Sequence, residues 1–126
     1  MVPTIAVLVD DLFFLAKIQE TAKALGAKVL SLNAQSSPAV VAEAHPRAVI
    51  IDLNLRSASP LDSIRALKGD PANSPIPIVA FASHVQGQLI ADARAAGCDS
   101  VLARSAFTRQ LPQLLRSFIS QTEAAS

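Results

Sequence analysis

Four short apolar runs recur along the chain: Ile5–Val9, Ala48–Ile51, Ile78–Phe81 and Val101–Ala103. A fifth, Lys28–Leu32, is weaker and partly alternates with polar positions. Unbroken apolar character rich in β-branched residues predicts strands covered on both faces. Between the runs the spacing turns helical. Leu15, Ile18, Ala22 and Leu25 follow a 3-4-3 pattern, with Gly26 where a left-handed C-cap belongs. Ser37-Pro38 reads as N-cap and first helical residue of a short helix through about Ala44. Leu61, Ile64 and Leu67 mark a third helix ending near Gly69-Asp70-Pro71, and Leu89, Ile90, Ala93 and Gly97 a fourth. Leu111, Leu114, Leu115 and Phe118 form the stripe of a last helix. Pro112 is tolerated best in a first turn, so this helix is predicted to start around Thr108–Arg109.

The predicted order is strand and helix alternating five times. Helical crossovers require parallel strands joined by right-handed connections. The expected fold class is therefore α/β: a single doubly wound (βα)5 flavodoxin-like domain, with a parallel five-stranded sheet of order 2-1-3-4-5. In such sheets ligands bind at the carboxyl ends of the strands. One domain spans residues 1–126, with an ordered core over about 4–121 and a tail after about Gln121 expected to fray.

Composition narrows the class. At 126 residues and 51% hydrophobic, with 17% charged, the chain can fill a core and is not disordered. Area scaling gives roughly 6,400 Å² exposed when folded against about 19,000 Å² unfolded. A net charge of +1 argues against a nucleic-acid surface held by charge. The single Cys98 excludes a disulfide framework and a zinc cluster. The longest apolar run, Ile76–Ala82, is too short to span a bilayer, and no export signal is visible at the N-terminus. The expected location is cytoplasmic.

Candidate chemistry lies at two strand ends. Asp10 and Asp11 follow the first strand and Asp52 ends the third, and the predicted order makes these strands neighbours. Three carboxylates at one rim raise one another's pKa unless a cation compensates, and a hard divalent ion such as Mg²⁺ is suited to oxygen ligands of this kind. The simpler role for one of the pair is capping the first helix.

Asp10-Asp11, Asp52 and the segment Ala93-Arg94-Ala95-Ala96-Gly97-Cys98-Asp99-Ser100 together resemble the receiver domain of two-component response regulators, over nearly the whole chain. The resemblance implies that Asp52 accepts a phosphoryl group from a histidine kinase or phosphotransfer protein. It implies Mg²⁺ held by Asp10, Asp11 and Asp52 with the backbone carbonyl of Asn54. The module would be a signalling protein rather than an enzyme. Its chemistry would be covalent transfer to a carboxylate with the metal neutralising charge.

Several switch positions depart from the family pattern. The hydroxyl expected at the end of the fourth strand falls on Ala82, with Ser83 one residue later and expected to face the opposite side. The lysine position holds Arg104, which binds phosphate bidentately but is longer and planar. Ser105 replaces the following proline, so a trans bond is expected there, and Ala106 is an additional residue. Val101 replaces the aromatic switch, and Pro60 stands where a glycine usually ends the loop after the acceptor. These departures point to an atypical receiver whose output bypasses the usual switch. The alternative is a pseudo-receiver acting by partner binding or dimerisation without phosphorylation.

Receivers usually meet partners through the fourth helix, fifth strand and fifth helix. Here that face carries Gln88, Asp92, Arg94, Asp99, Arg109 and Gln113, able to engage a downstream protein or a second copy, with no direct contact to nucleic acid or membrane expected. A flavin site would want a Ser/Thr- and Gly-rich loop in place of Asp11-Leu12-Phe13-Phe14. A haloacid-dehalogenase-type site would want Asp-x-Asp in place of Asp10-Asp11. His84, His45 and Arg56 read as solvent-facing loop residues, and Cys98 as a small buried one. One of Phe13 and Phe14 is expected in the core and the other exposed beside the crevice.

Overall fold

Strands and helices alternate strictly along the chain: β1 Thr4–Leu8, α1 Leu12–Ala24, β2 Lys28–Ser31, α2 Pro38–Ala44, β3 Ala48–Asp52, α3 Pro60–Gly69, β4 Ile78–Ala82, α4 Gly87–Ala96, β5 Ser100–Ala103 and α5 Arg104–Ala125. The coordinates are a computed structural model. The structure describes residues 2–33, 35–83 and 87–125, with side chains to residue 120. The strands form one parallel sheet of order β2-β1-β3-β4-β5. This is the architecture that the apolar runs and helical crossovers predict.

Each central strand is buried at every residue, whereas β2 and β5, at the two edges, are only partly covered. Alternation sends successive residues of each strand to opposite layers. Ile5, Val7, Ile50, Val79 and Phe81 pack under α1 and α5 with Phe14, Ile18, Phe107, Leu111 and Leu115. Ala6, Leu8, Val49, Ile51, Ile78 and Ala80 pack under α2, α3 and α4 with Val41, Ile64, Leu67, Ala93 and Ala96. The surface left exposed is 6850 Å², close to the area scaling for this mass.

Ser37, Gly26 and Gly97 stand at the helix ends predicted for them, although the Ser37 side chain makes no capping hydrogen bond. Ser37 and Ser59 precede α2 and α3, each with proline in the first turn. Gly26 and Gly97 adopt φ of +82° and +115° after α1 and α4. At Gly97 there is a second reason for glycine: a Cβ would stand 2.6 Å from Cγ of Lys68.

One boundary differs from expectation. α5 begins at Arg104, not around Thr108–Arg109, so Pro112 lies inside the helix. An interior proline removes the N–H that would bond the Thr108 carbonyl and costs about 3 kcal/mol. The earlier start brings Phe107 into the core, fully buried, with its ring 4.8 Å from Phe81 and 5.8 Å from Phe14. Burial of a phenylalanine contributes about 1.5–3 kcal/mol and each aromatic pair about 0.5–1.5 kcal/mol more, enough to offset the proline. Sequence reasoning weighted the proline and missed that Phe107 extends the Leu111, Leu115, Phe118 stripe by a turn.

Candidate functional site: an acidic crevice closed by Arg104

β1 and β3 run side by side, with Leu8 opposite Ile51. The residues that follow them therefore leave the sheet at one edge, and this delivers Asp10, Asp11 and Asp52 to a common rim. The three side chains are held in different ways.

Asp52, the last residue of β3, is 6% exposed. Its Oδ1 accepts the Asn54 backbone N–H at 2.8 Å. Burial pushes its carboxyl above the ordinary carboxylate value. The Asn54 N–H and the Arg104 charge pull it down, and the charges of Asp10 and Asp11 push it up. Asp52 therefore feels the charges of Arg104, Asp10 and Asp11 across the crevice.

Asp11 caps α1: its Oδ1 accepts the backbone N–H groups of Phe13 and Phe14 at 3.0 and 3.2 Å. Its other oxygen, Oδ2, accepts from Nη2 of Arg104 at 2.7 Å. The Arg104 guanidinium, first of all, holds the Asp11 carboxyl below its ordinary value, and the Phe14 N–H adds to this. Asp11 thus performs the simpler capping role and a second one at once.

Asp10 turns the other way, to the loop between β3 and α3. It accepts from Ser57 Oγ at 2.6 Å and from the backbone N–H groups of Arg56 and Ser57 at 3.0 and 3.1 Å. The Ser57 hydroxyl bond is the main reason its carboxyl lies below the ordinary value. Arg56 therefore does reach the acids, through its backbone rather than its charge.

A further clasp joins the neighbouring loop. Oδ1 of Asn54 accepts from both the backbone N–H and the hydroxyl of Ser83, at 2.7 and 2.9 Å. The segments that follow β1, β3, β4 and β5 are thus tied to one another around Asp52 by Asp10–Ser57, Asn54–Ser83 and Asp11–Arg104. No sequence signal announced the side-chain part of Asn54, because an exposed loop asparagine has many local partners open to it.

Arg104 follows β5 directly as the first residue of α5. Its guanidinium carbon lies 4.4 Å from the ring centroid of Phe14, and its carbonyl accepts the Thr108 hydroxyl at 2.9 Å. Phe14 is buried and Phe13 is 92% exposed, the division expected of the pair. Beside them lies an open cleft of about 570 Å³, bordered by Asp11, Phe13, Lys17, Ser83, Arg104 and Thr108.

No protein-family model and no curated protein matches this sequence. Solved structures do match. The chemotaxis protein CheY4 of Vibrio cholerae superposes with a TM-score of 0.81 at 14% identity, over 94% of this chain and 99% of that one. The phosphorylated cyanobacterial phytochrome response regulator RcpA gives 0.72 at 18% identity, over 100% and 97%. The Mn²⁺-bound form of the response regulator Rcp1 gives 0.69 at 17% identity, over 94% and 92%.

The chain has the response-regulator receiver fold.

The residues expected at the switch positions lie as follows. Ala82 is the buried last residue of β4 and faces the α3/α4 layer. Ser83, one residue on, is exposed, and its hydroxyl is committed to Asn54. Val101 is half-buried in edge strand β5 against the same layer as Ala82. The peptide bond after Arg104 is trans, since no cis bond occurs among the described residues. His84 lies outside the described residues. Cys98 is buried, with its thiol donating to the Ser100 carbonyl at 3.0 Å, and burial pushes that thiol up. Of the polar residues expected on the α4–β5–α5 face, Asp99 is exposed but tied to the start of β4 and to α3: it accepts the Ile78 N–H at 2.7 Å and pairs with Lys68 at 3.0 Å.

The donors expected to hold Mg²⁺ are all hard oxygens, which fits the chemistry of such an ion. Their present arrangement is internally compensated. Among the described residues no three acidic, histidine or cysteine side chains converge on one point, and Arg104 supplies positive charge to Asp11. No helix among the described residues is long and apolar enough to cross a membrane.

Proposed function

We propose that this chain is a signal-receiving module of a phosphorelay, acting in the cytoplasm as a non-enzymatic partner of a histidine kinase or phosphotransfer protein, with Asp52 as its phospho-acceptor. The observation that carries the reading is the placement of Asp52. It is a buried carboxylate at the carboxyl end of a central strand, flanked by two further carboxylates and one guanidinium. A ligand crevice is expected there in this topology. Structures that share the fold include one described as phosphorylated and one described as Mn²⁺-bound.

The step is a transfer between two oxygens or from nitrogen to oxygen. A carboxylate oxygen of Asp52 attacks phosphorus, forming a P–O bond as the bond from phosphorus to the donor breaks. The electron pair of that bond leaves with the donor. Arg104, within electrostatic reach of Asp52, is placed to pair with the added anionic oxygens. Asp10, Asp11, Asp52 and the Asn54 carbonyl would hold Mg²⁺, which when bound neutralises charge on the transferring group. Ser83 lends no hydroxyl while Asn54 holds it. The ring that usually reports modification is replaced by Val101.

The self-satisfied rim favours a second reading, in which the module works without phosphorylation through a downstream protein or a second copy on its α4–β5–α5 face. Incubation with acetyl phosphate and Mg²⁺, followed by intact mass, separates the two. The first reading expects one phosphoryl adduct on the native chain and none on Asp52→Asn. Absence of an adduct on the native chain, with the crevice intact by NMR, would leave only the second.

A further inference from the structure

The seven residues of α2 rise about 10 Å, whereas the five residues of β1 or β3 extend about 16 Å. This helix therefore cannot roof the whole length of the strands on its face of the sheet. Its limits are set locally. Ser37-Pro38 opens it, and His45 in the left-handed region, followed by Pro46, closes it. Val41 is its one buried residue. The start of the helix is also pinned, since the buried Asn73 side chain donates to the Pro38 carbonyl at 2.8 Å. Sliding α2 over the uncovered stretch would break that bond and leave buried polar groups unpaired.

The uncovered stretch is a pocket of about 370 Å³ between α2 and α3. Its floor is apolar: Leu8, Leu32, Val41, Val49, Ile51 and Leu67 line it, and each is buried. Its rim is polar, with Asn33, Ser36, Ser37, Ser59 and Ser63. The Ser37 hydroxyl makes no capping bond with its own helix. Among the described residues that line the pocket only Asp62 is charged, and Arg65 already holds its Oδ1 at 3.1 Å. Water on such a floor has few polar partners, so an apolar body that displaces it gains free energy. A cavity of roughly 150 Å³ holds one benzene, so this one has room for a fused pair of rings.

We propose that the pocket between α2 and α3 binds a small uncharged amphipathic molecule, a flat apolar body of two fused rings carrying a hydroxyl or carbonyl group. The floor takes the rings, and the serine hydroxyls and Asn33 amide meet the polar edge. A concave apolar pocket with a few convergent polar groups is the form that small-molecule sites take. An anion would find no basic partner among the described lining residues and would face Asp62. A cation would find only that carboxylate, which is largely exposed and already paired. The pocket shares no residue with the crevice around Asp52, so the inference stands whether or not Asp52 accepts a phosphoryl group.

The test uses the full chain and three probes of one shape: 2-naphthol, 2-naphthoate and 2-naphthylmethylammonium. Methyl resonances of Leu8, Val41, Ile51 and Leu67 are followed by NMR as each probe is added. At neutral pH 2-naphthol should shift these methyls saturably, with Kd below about 1 mM, and give intermolecular NOEs to them. The two charged probes should bind at least about tenfold more weakly, because a charge that enters the pocket loses water without a partner. Ser63→Phe, which sets a ring into the pocket, should abolish 2-naphthol binding while the circular dichroism stays native. The NOEs on the native chain decide the matter even if that variant does not fold. No saturable shift at 1 mM 2-naphthol, NOEs to other residues, or equal binding of all three probes would overturn the proposal. So would undiminished binding in folded Ser63→Phe. Methyl shifts that follow protein concentration without any probe would overturn it as well, since a second copy would then cover the pocket.

Discussion

Arg104 Nη2 and Asp11 Oδ2 meet at 2.7 Å, joining the start of α5 to the start of α1 across 93 residues of chain. Both side chains keep more than a third of their surface exposed, so the pair alone contributes little after screening. The stacking of the guanidinium on Phe14 and the apolar stem of Arg104 add to it. Arg104→Ala is expected to lower stability by about 1 kcal/mol, and Arg104→Lys by less, in urea unfolding followed by circular dichroism. A loss above about 3 kcal/mol would mean that Arg104 supports the core in a way its exposure does not indicate.

Asp52 gives a pH signature opposite to that of its two neighbours. Its folded carboxyl lies above the unfolded value because of burial. The native state therefore binds the proton more readily, and stability falls as pH rises from the unfolded value through the folded one. At neutral pH the charged Asp52 opposes folding. Asp52→Asn should raise the thermal midpoint at pH 7 by roughly 3–5 °C, corresponding to about 1 kcal/mol, and should make little difference near pH 3. Thermal scans of both proteins across pH check this. A destabilised Asp52→Asn at pH 7 would contradict it.

Asp10 and Asp11 act in the opposite direction. Hydrogen bonds from Ser57 and from Arg104, respectively, lower their folded values. Their contribution is present above the ordinary carboxylate range and is lost as pH falls through the lower folded values. Asp10→Asn and Asp11→Asn should each narrow the stability difference between pH 6 and pH 3 seen for the native chain. An unchanged difference would mean that the hydrogen bonds at the rim do not persist in solution.

Phe13, at the start of α1, is separated from Phe107 by burial, and variants of the two should separate likewise. Phe107→Ala removes a fully buried ring stacked between α5 and β4 and should cost about 3–5 kcal/mol. Phe13→Ala, at a position 92% exposed, should stay within about 0.5 kcal/mol. Denaturant midpoints with an unchanged slope would confirm both values.

Lys68 closes the amino-terminal side of the sheet. Its ammonium donates to the carbonyls of Ser74 and Ile76 at 3.1 and 2.9 Å and pairs with Asp99 at 3.0 Å, with 18% of the side chain exposed. Lys68→Met keeps the stem and leaves those acceptors unpaired, an expected loss of about 1–3 kcal/mol by urea denaturation. Gly97→Ala should be costly for a related reason: it places a methyl against the pinned Lys68 stem at a positive φ.

The fold was legible because its signals were of the robust kind. Three unbroken apolar runs became fully buried central strands, and Ser37-Pro38, Gly26 and Gly97 stood at the ends they mark. The misplaced start of α5 shows where local chemistry yields to packing: Pro112 argued for a late start, and Phe107 needed an early one. At the crevice, the carboxylates could be placed from topology alone, because strand ends in a parallel sheet share an edge. Their partners could not. Whether Arg104 faces Asp11 or Asp52 depends on side-chain reach of an ångström or two, and Asn54–Ser83 joins two loops whose lengths carry no periodic signal.

The most direct test is a carboxyl-carbon NMR titration of Asp52 in native protein, Asp11→Asn and Arg104→Gln. Because the three groups share one crevice, Asp52 should titrate above the ordinary carboxylate range in the native chain. It should move down when the Asp11 charge is removed and up when the Arg104 charge is removed. An Asp52 that titrates at an ordinary value and responds to neither substitution would contradict the shared crevice, and with it the receiving role built on it.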